Sequence, residues 1–403
     1  MEFPKVNPFL KHKNWPVVQL ILDKIPHEYD VVIVGGAVRD VLLGRPVGDL
    51  DVATSMPMEL MQGLFPKVIN VGKNFGILRI LHQGGEVELA MFRAETGYSD
   101  HRRPDQIRAS TLLEDIRRRD FTMNALMYNL RTQEWIDQVH GLSDIASRQI
   151  RCVGVPKDRF QEDALRMLRA LRFMSQLNFD LEKQTAKALS EHISDLQFIS
   201  RERRREEFEK LLKGPWMLKS LQQGQILGVW SALFQKDIFF QEQHFASVQS
   251  PKDAEELKIR WADFLVQLFL QADVTWSSIE NMLSFSRHEK NFFQEIFKCL
   301  LQREYLKKQR LGPLLVWSSA EVGSYLASFW SKQDSWWKEF LEQHQRQLSS
   351  LPLPWVKATD LISEFQGRKL GQILEELYYL QLEGKVHSKD QAIQWALSQR
   401  SKE

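Results

Sequence analysis

The residues best suited to do chemistry lie between Val31 and Thr54, in the string VVIVGGAVRDVLLGRPVGDLDVAT. An apolar run, Val31–Val34, leads into Gly35-Gly36. A short helix is expected over Ala37–Leu43, stopped by Gly44 as its C′ residue. Glycines let a backbone approach a ligand closely, and the N–H groups opening the next helix suit phosphate oxygens. The chain then returns as Asp49-Leu50-Asp51-Val52. Residues two apart in a strand share a face, so Asp49 and Asp51 are expected to point together while Leu50 and Val52 face the core. Side-by-side carboxylates repel unless a cation lies between them. Such a pair suits one or two Mg²⁺, activating an attacking hydroxyl and stabilising a leaving oxygen. Asp-x-Asp alone is common on solvated strands; the order strand, Gly-Gly, helix, loop, strand, Asp-x-Asp is far more specific.

Two later strings add to this. Arg118-Arg119-Asp120-Phe121-Thr122-Met123-Asn124-Ala125-Leu126 joins arginines, which suit triphosphate charge, to a carboxylate that can accept from a ribose hydroxyl. A solvated helix start with Asp120 as N-cap has the same composition. Glu162-Asp163-Ala164-Leu165-Arg166-Met167-Leu168-Arg169 sets Asp163 and Arg166 three apart, neighbours on one face of a helix. A surface ion pair is the bland account. The sharper account is base reading. Cytosine and adenine present a ring-nitrogen acceptor beside an amine donor, and uracil and guanine the reverse. An Arg donor beside an Asp acceptor matches C and A and mismatches U and G.

A frame must hold these groups. Twelve of the 20 glycines fall in residues 1–154 and ten of the 12 tryptophans from Trp216 onward, so the chain changes character along its length. The first part has the pattern of short strands and tight turns, with a hairpin of Gly76–His82 and Glu86–Arg93 about Gly84-Gly85. The remainder has helical spacing over Asp163–Leu177, Arg201–Leu212, Asp253–Gln271 and Leu370–Leu380, with breaks near Gly214-Pro215, Gly312-Pro313 and Leu351–Pro354. With 403 residues, 43% hydrophobic and 26% charged, the chain can build several cores and is not a disordered one. Its 54 Lys and Arg nearly balance 52 Asp and Glu, so nucleic-acid contact must come from local patches. Cys152 and Cys299 are too few for a four-ligand zinc site and too separated for a CxxC pair, which leaves buried reduced thiols. The opening MEFPKVNPFLKHKNW lacks the apolar core of a secretory leader. No run approaches the roughly 18 apolar residues of a membrane span. A cytoplasmic protein without a membrane partner is expected.

Together, GGAVRDVLLG…GDLDVAT, RRDFTMNAL and EDALR resemble the motifs of the DNA polymerase beta-like nucleotidyltransferases. Within that superfamily they resemble the class II tRNA nucleotidyltransferase (CCA-adding enzyme) and bacterial poly(A) polymerase family, over residues 30–212. The resemblance implies an α/β N-terminal nucleotidyltransferase head, a small mixed sheet with helices, followed by all-α neck, body and tail domains. The expected bounds are head 1–153, neck 154–214 carrying base selection, body 215–312 and tail 313–403 carrying tRNA binding. It gives Gly35, Gly36 and Arg39 to the triphosphate, Asp49 and Asp51 to Mg²⁺, and Glu88 to a third acidic place matched by position. A solvated strand carboxylate is equally consistent for Glu88. Asp120 and Arg119 would read the ribose with Asn124 beside them, Asp163 and Arg166 would select the base, and Arg169 would reach the triphosphate. Asp137–Gly141 matches the family's third motif, Asp-Pro-aromatic-Gly-Gly, only loosely. Ile199–Leu212 resembles the fifth, a helix supporting the fourth.

The segment between the first two motifs keeps a full-length loop around Thr96–Arg108, with Asp100, Arg102 and Arg103, similar to CCA-adding or A-adding members. Gly72-Lys73-Asn74-Phe75-Gly76-Ile77 does not match the GRRF string of the poly(A) polymerases, and no His-Asp dipeptide marks a phosphohydrolase domain. The resemblance therefore implies template-independent CCA addition to the tRNA 3′ end from CTP and ATP, with Mg²⁺ as cofactor and pyrophosphate released. The alternatives are an A-adding enzyme working with a separate CC-adding one, a poly(A) polymerase, or a non-catalytic helical RNA-binding protein. The C-terminal tryptophans are expected in helix cores, and Lys307, Lys308 and Arg310 are phosphate contacts or a solvated face.

Overall fold

The computed structural model describes residues 3–4, 6–72, 76–97, 106–240, 242, 245, 249–272, 274–301, 321–322, 325–326 and 353–399. The chain divides into two compact units, Met1–Asp237 and Ile238–Glu403.

The first unit is built on a mixed sheet of β1 (Val31–Val34), β2 (Asp51–Thr54), β3 (Val68–Gly72), β4 (Ile77–His82), β5 (Gly85–Met91), β8 (Met127–Asn129) and β9 (Trp135–Ile136). Their order is β3-β4-β5-β2-β1-β8-β9, with β2 parallel to β5 and the other pairs antiparallel. The four aliphatic residues of β1 are all buried, as a strand covered on both faces requires. The hairpin turns at Gln83-Gly84, with φ of 47° and 77°, rather than at Gly84-Gly85. Two successive positive φ values suit the twist of a two-residue hairpin. Gly85 already pairs with His82, and a Cβ there would lie 3.0 Å from Asn14 Oδ1. The strand expected through Arg93 ends at Met91, and Arg93–Thr96 leaves the sheet as β6 to pair with β7 (Gln106–Ala109).

Helix α1 (Trp15–Lys24) precedes β1, and after β1 the chain enters α2 (Gly36–Leu42). Gly44, at φ 65°, ends it: Gly44 N–H donates to the Val41 carbonyl at 3.0 Å and Arg45 N–H to that of Asp40 at 2.8 Å. This is a Schellman cap. After the short α3 (Met58–Met61), α4 (Leu112–Arg117) packs Ile116 onto Val32, Val34 and Ala53 of the sheet, and α5 (Gly141–Ala146) packs on the turn Thr122–Asn124. The loosely matched third motif is a brace, because Asp137 accepts from the N–H groups of Val139, Gly141 and Leu142.

The helical part of the first unit comprises α6 (Pro156–Glu162), α7 (Leu165–Leu177), α8 (Lys183–Glu191), α9 (Arg201–Leu212), α10 (Met217–Ile226) and α11 (Val229–Phe234). Helices α9 and α10 both pack on α7, which buries Met167, Leu168, Leu171 and Met174. The break at Gly214-Pro215 is forced, since a Cβ on Gly214 would fall 1.9 Å from Ser175 Oγ. The helix expected over Asp163–Leu177 starts later. Asp163 is extended, at φ −148° and ψ 103°, between α6 and α7. Its Oδ1 accepts Leu165 N–H at 3.0 Å, so a short polar side chain competes locally with helical hydrogen bonding.

The second unit is helical where described. It contains α12 (Ala254–Ala272), α13 (Trp276–Met282) and α14 (Arg287–Leu301), joined by edge-on contacts of Trp261, Trp276, Phe285, Phe293 and Phe297. A separate core of Leu361, Phe365, Leu377 and Ala396 unites α15 (Ala358–Leu361), α16 (Gly367–Leu382) and α17 (Lys389–Ser398). Trp261 is buried, Trp276 packs among phenylalanines and Trp395 packs on that core, while Trp355 is exposed. Gly312-Pro313, Lys307, Lys308 and Arg310 lie outside the described residues. Among the described residues no helix is long and apolar enough to cross a membrane.

Cys152 and Cys299 are both buried and unbridged, and burial pushes each thiol up to about 12. Neither should react with a disulfide reagent at pH 8 until the protein is denatured, when two thiols titrate. A thiol reacting in the native protein contradicts this burial.

Candidate active site

A cleft of about 710 Å³ opens in the first unit. Eight Arg and Lys side chains line it against three carboxylates, those of Asp51, Asp120 and Asp163. Ten of the expected residues line this cleft: Gly35, Gly36, Arg39, Asp51, Arg119, Asp120, Asn124, Asp163, Arg166 and Arg169. Asp49 and Glu88 are not among the lining residues; they belong to the carboxylate group around Asp51.

The Gly-Gly turn forms one wall. Gly35 has φ 71°, and a Cβ there would sit 3.9 Å from Arg119 Nη1 and 4.0 Å from Asp51 Oδ2. Asp51 opens β2 and pairs across the sheet with Val34 on β1 and Glu88 on β5. Asp49 precedes the strand instead of lying in it, but Leu50 and Val52 are buried as their alternation requires. Burial of the carboxyl group, then the charges of Glu88 and Asp49, push Asp51 up to about 6 against the pull of Arg119. Glu88 is half-exposed and its Oε1 is held by Arg79 Nη2 at 3.0 Å. Among the described residues no three His, Cys, Asp or Glu side chains converge as a metal cage. Oxygen donors from two carboxylates, with excess negative charge between them, fit an Mg²⁺ completed by substrate oxygens.

The arginines complete the lining, with Arg119 beside Gly35 and Arg39 beside Gly36. Asp115 on α4, fully buried, accepts from Arg118 at 2.6 Å and Arg119 at 2.8 Å, and these two charges hold its carboxyl below the usual range despite burial. Its spacing to the arginines is i+3 and i+4 on a helix, a signal legible in the sequence but not used there. Asp120 does not behave as a solvated N-cap. It is 9% exposed, and its Oδ1 accepts Phe121 N–H and Asn124 Nδ2. Its Oδ2 accepts Arg169 Nε at 2.8 Å and Nη2 at 2.6 Å. The Arg169 charge and these bonds overcome desolvation and take Asp120 down to about 2. Asn124 passes the network to Arg39, whose Nη1 donates to its Oδ1 at 2.7 Å.

Helix α7 supplies a polar stripe of Arg166, Arg169, Arg172 and Gln176, each within three or four residues of the next. Phe173 in that stripe receives the guanidinium groups of Arg172, Arg39 and Arg169 at 4.2, 5.1 and 5.5 Å from its ring centre. Glu207 on α9, 3% exposed on its side chain, holds Arg172 at 3.1 Å. Burial and the neighbouring Arg169 bring Arg172 down to about 10.

Asp163 and Arg166 face the same cleft but not as an i,i+3 pair on one helix, because the chain breaks between α6 and α7. Asp163 Oδ2 is held by Arg203 Nη2 of α9 at 2.7 Å. Arg166 Nη1 is held by Glu162 at 2.6 Å, and its Nη2 donates to the Arg118 carbonyl at 2.9 Å. Each is braced by a charge from outside the pair. Sequence spacing did not reveal the roles of Arg203 and Glu207, which depend on α9 packing against α7. Asp100, Arg102 and Arg103 of the expected loop lie outside the described residues.

Residues 31–151 match the model of the poly A polymerase head domain, and residues 178–234 that of the probable RNA and SrmB-binding site of polymerase A. The chain is 48% identical over 197 residues to a CCA-adding enzyme of Geobacillus sp. (strain WCH70), covering 48% of each chain. It is 46% identical over 208 residues to that of Bacillus licheniformis, covering 51% of this chain and 52% of the relative. The matches thus span about half the length of these curated relatives. The solved structure of the Bacillus stearothermophilus CCA-adding enzyme in complex with CTP matches over 98% of both chains, with a TM-score of 0.65 and 26% identity. The Thermotoga maritima CCA-adding enzyme complexed with tRNA shares the fold, with a TM-score of 0.60 at 20% identity over 96% of this chain and 98% of the other. In its strand–Gly-Gly–helix–Asp-x-Asp head and its arginine-lined cleft, the chain is thus similar to the class II CCA-adding enzyme/poly(A) polymerase family.

Proposed function

We propose that this chain adds CCA to the 3′ end of tRNA without a template, using CTP and ATP and releasing pyrophosphate. The observation that carries this reading is the cleft itself: eight cations, Arg166 among them, line it together with Gly35-Gly36, Asp51 and Asp163. The structural likeness over 98% of the chain to a CCA-adding enzyme complexed with CTP supports it. In this reading the chain is cytoplasmic, and the four-part division into head 1–153, neck 154–214, body 215–312 and tail 313–403 is retained as a proposal.

Asp49 and Asp51 would hold Mg²⁺, with Glu88 the nearest further carboxylate across the strand pair. Bound Mg²⁺ supplies charge to lower the pKa of the terminal 3′-hydroxyl and to stabilise the leaving oxygen. The chain's own groups do the rest. The backbone at Gly35 and Gly36 makes room for the triphosphate, and Arg39, Arg119 and Arg169 balance its charge. Asp120 has both oxygens committed, so it acts by aiming Arg169 and Asn124 toward the ribose and phosphates. Asp163 accepts from, and Arg166 donates to, the edge shared by C and A. The hydroxyl attacks the α-phosphorus, and the bond to the bridging oxygen of pyrophosphate breaks.

One assay tests this. Purified protein receives tRNA ending before CCA, after C, or after CC, with CTP, ATP or both, and the products are sequenced. Ordered C, C, A addition that then stops is expected. Addition of A only to tRNA already ending in CC identifies an A-adding enzyme, and long A tails on unrelated RNA identify a poly(A) polymerase. Either result overturns the reading.

A further inference from the structure

The two aspartates proposed above to hold the cation are fixed very differently. Asp51 is locked in the sheet, paired with Val34 on one side and Glu88 on the other. Asp49 lies outside the ladder, in an exposed loop that runs from α2 to β2. Among the described residues a single hydrogen bond reaches residues 46–49, and it comes from far away in the sequence. His12 Nε2 donates to the carbonyl of Gly48, the residue before Asp49, at 2.9 Å. The other ring nitrogen, Nδ1, accepts Asn14 N–H at 3.1 Å. A backbone N–H can only donate, so the ring proton is left on Nε2, facing the carbonyl.

His12 is itself held in place. Its N–H donates to the Phe9 carbonyl and its own carbonyl accepts Trp15 N–H, both at 2.9 Å. Phe9 is buried, with its ring 5.6 Å from that of Tyr128 on β8 and 6.4 Å from that of Trp135 on β9. Helix α1, which follows, packs on β4 and β5. Strands β2 and β1 lie between these two anchors in the sheet. Residues 9–14 therefore cross the sheet where the loop carrying Asp49 enters it.

From this we infer that His12 is a positioning residue for Asp49, an inference resting on the function proposed above. It acts through the backbone. The Gly48 carbonyl is tethered by His12 and the side chain of Leu50 is buried, so Asp49 is held between two fixed points. Without the imidazole, the loop is fixed only from the Leu50 side. Asp49 then moves away from Asp51, and the pair no longer offers its oxygens to one cation. The cleft arginines and the base-reading residues come from other elements, so nucleotide contacts remain.

The test titrates Mn²⁺ into the full-length protein with CTP and no tRNA, and measures bound ion by EPR against CTP alone. His12→Ala should weaken Mn²⁺ binding by about tenfold, as loss of an outer-shell hydrogen bond does. The Mg²⁺ concentration giving half-maximal CTP addition should rise by about the same factor, with KM for tRNA unchanged. Two further variants separate the two bonds of the ring. His12→Gln places an amide nitrogen near Nε2 and should keep most of the affinity. His12→Asn places its amide oxygen near Nδ1, keeps the Asn14 bond, and should bind Mn²⁺ as weakly as His12→Ala. A thermal melt in EDTA confirms folding, and if His12→Ala does not fold, the contrast of Gln with Asn decides. Wild-type Mn²⁺ affinity in folded His12→Asn, or an equal loss in His12→Gln, overturns the inference. A wild-type protein that binds no Mn²⁺ beyond the CTP blank, or adds no nucleotide to tRNA, overturns the proposed function instead.

Discussion

Asp51→Asn should reduce CTP and ATP incorporation by about 10³-fold or more, since the several kcal/mol supplied through a metal carboxylate converts at 1.36 kcal/mol per decade. The same substitution should make the protein more stable in EDTA at pH 8. Asp51 shifts from 3.8 to about 6 because burial and the charges of Glu88 and Asp49 oppose its ionisation. For a carboxyl raised on folding, its stability contribution is fully present below about pH 4 and is lost as pH rises through 6. At pH 8 the ionised group thus weighs against the fold, and a neutral amide of the same shape removes that load. The expected rise in Tm is modest, about 1–3 °C, because Asp51 is only partly desolvated: it lines the open cleft, where water screens its charge. Asp49, which precedes the strand and is exposed, should give a similar loss of activity as Ala with little change in Tm. Incorporation that survives Asp49→Ala combined with Asp51→Ala removes both from the metal site. A fall in the Tm of Asp51→Asn in EDTA contradicts the crowding described here.

The second large effect is structural. Asp120→Ala should destabilise the first unit by about 3 kcal/mol or more, because it strands the buried side of Arg169 without its carboxylate. It also deprives Phe121 N–H and Asn124 of an acceptor, and so loosens Arg39. Acid should act through the same group. Asp120 falls from 3.8 to about 2 on folding. A carboxyl lowered on folding contributes stability that is present above about pH 4 and lost as pH falls through 2, here about 2 kcal/mol. Wild type should therefore lose stability faster than Asp120→Asn between pH 4 and 2, measured by denaturant titration at each pH. Parallel curves would falsify the assignment of Asp120 as the carboxylate that ties α7 to the turn after α4. Nucleotide binding should weaken in Asp120→Asn even where the fold is intact, since Arg169 loses its aim.

How much of this was legible beforehand follows from which forces act over short range. Val31–Val34, the helix after Gly36 and its stop at Gly44 are set by neighbours: four aliphatic residues make a buried strand, and a positive φ at Gly44 closes a Schellman cap. The spacing over Arg201–Leu212 gives the helix its observed bounds because the run begins after Ser200 and stops near Gly214. The hairpin follows from the sequence, but its turn lies one residue earlier than Gly84-Gly85, since Gln83 adopts a positive φ that composition does not advertise. The helical spacing over Asp163–Leu177 begins two residues ahead of the real start of α7, because Asp163 competes for the Leu165 N–H and the Arg that fixes the outcome lies 40 residues away.

The amino-acid sequence by itself determined which chemical groups are available and most of the elements that carry them: glycines that admit close approach, aspartates two apart, and a run of arginines. These depend on residue type and on spacings of two to four. Tertiary structure alone decided what each charge is for. Asp115 is a buried brace, and Asp120 is a filled carboxylate in place of a solvated cap. Arg203, which on its own helix looks like one solvated charge among many, is the partner of Asp163. The physical reason is range. A turn or a strand is chosen by a few adjacent residues. The role of a charge depends on which opposite charge it meets after folding and on how much water is left around both.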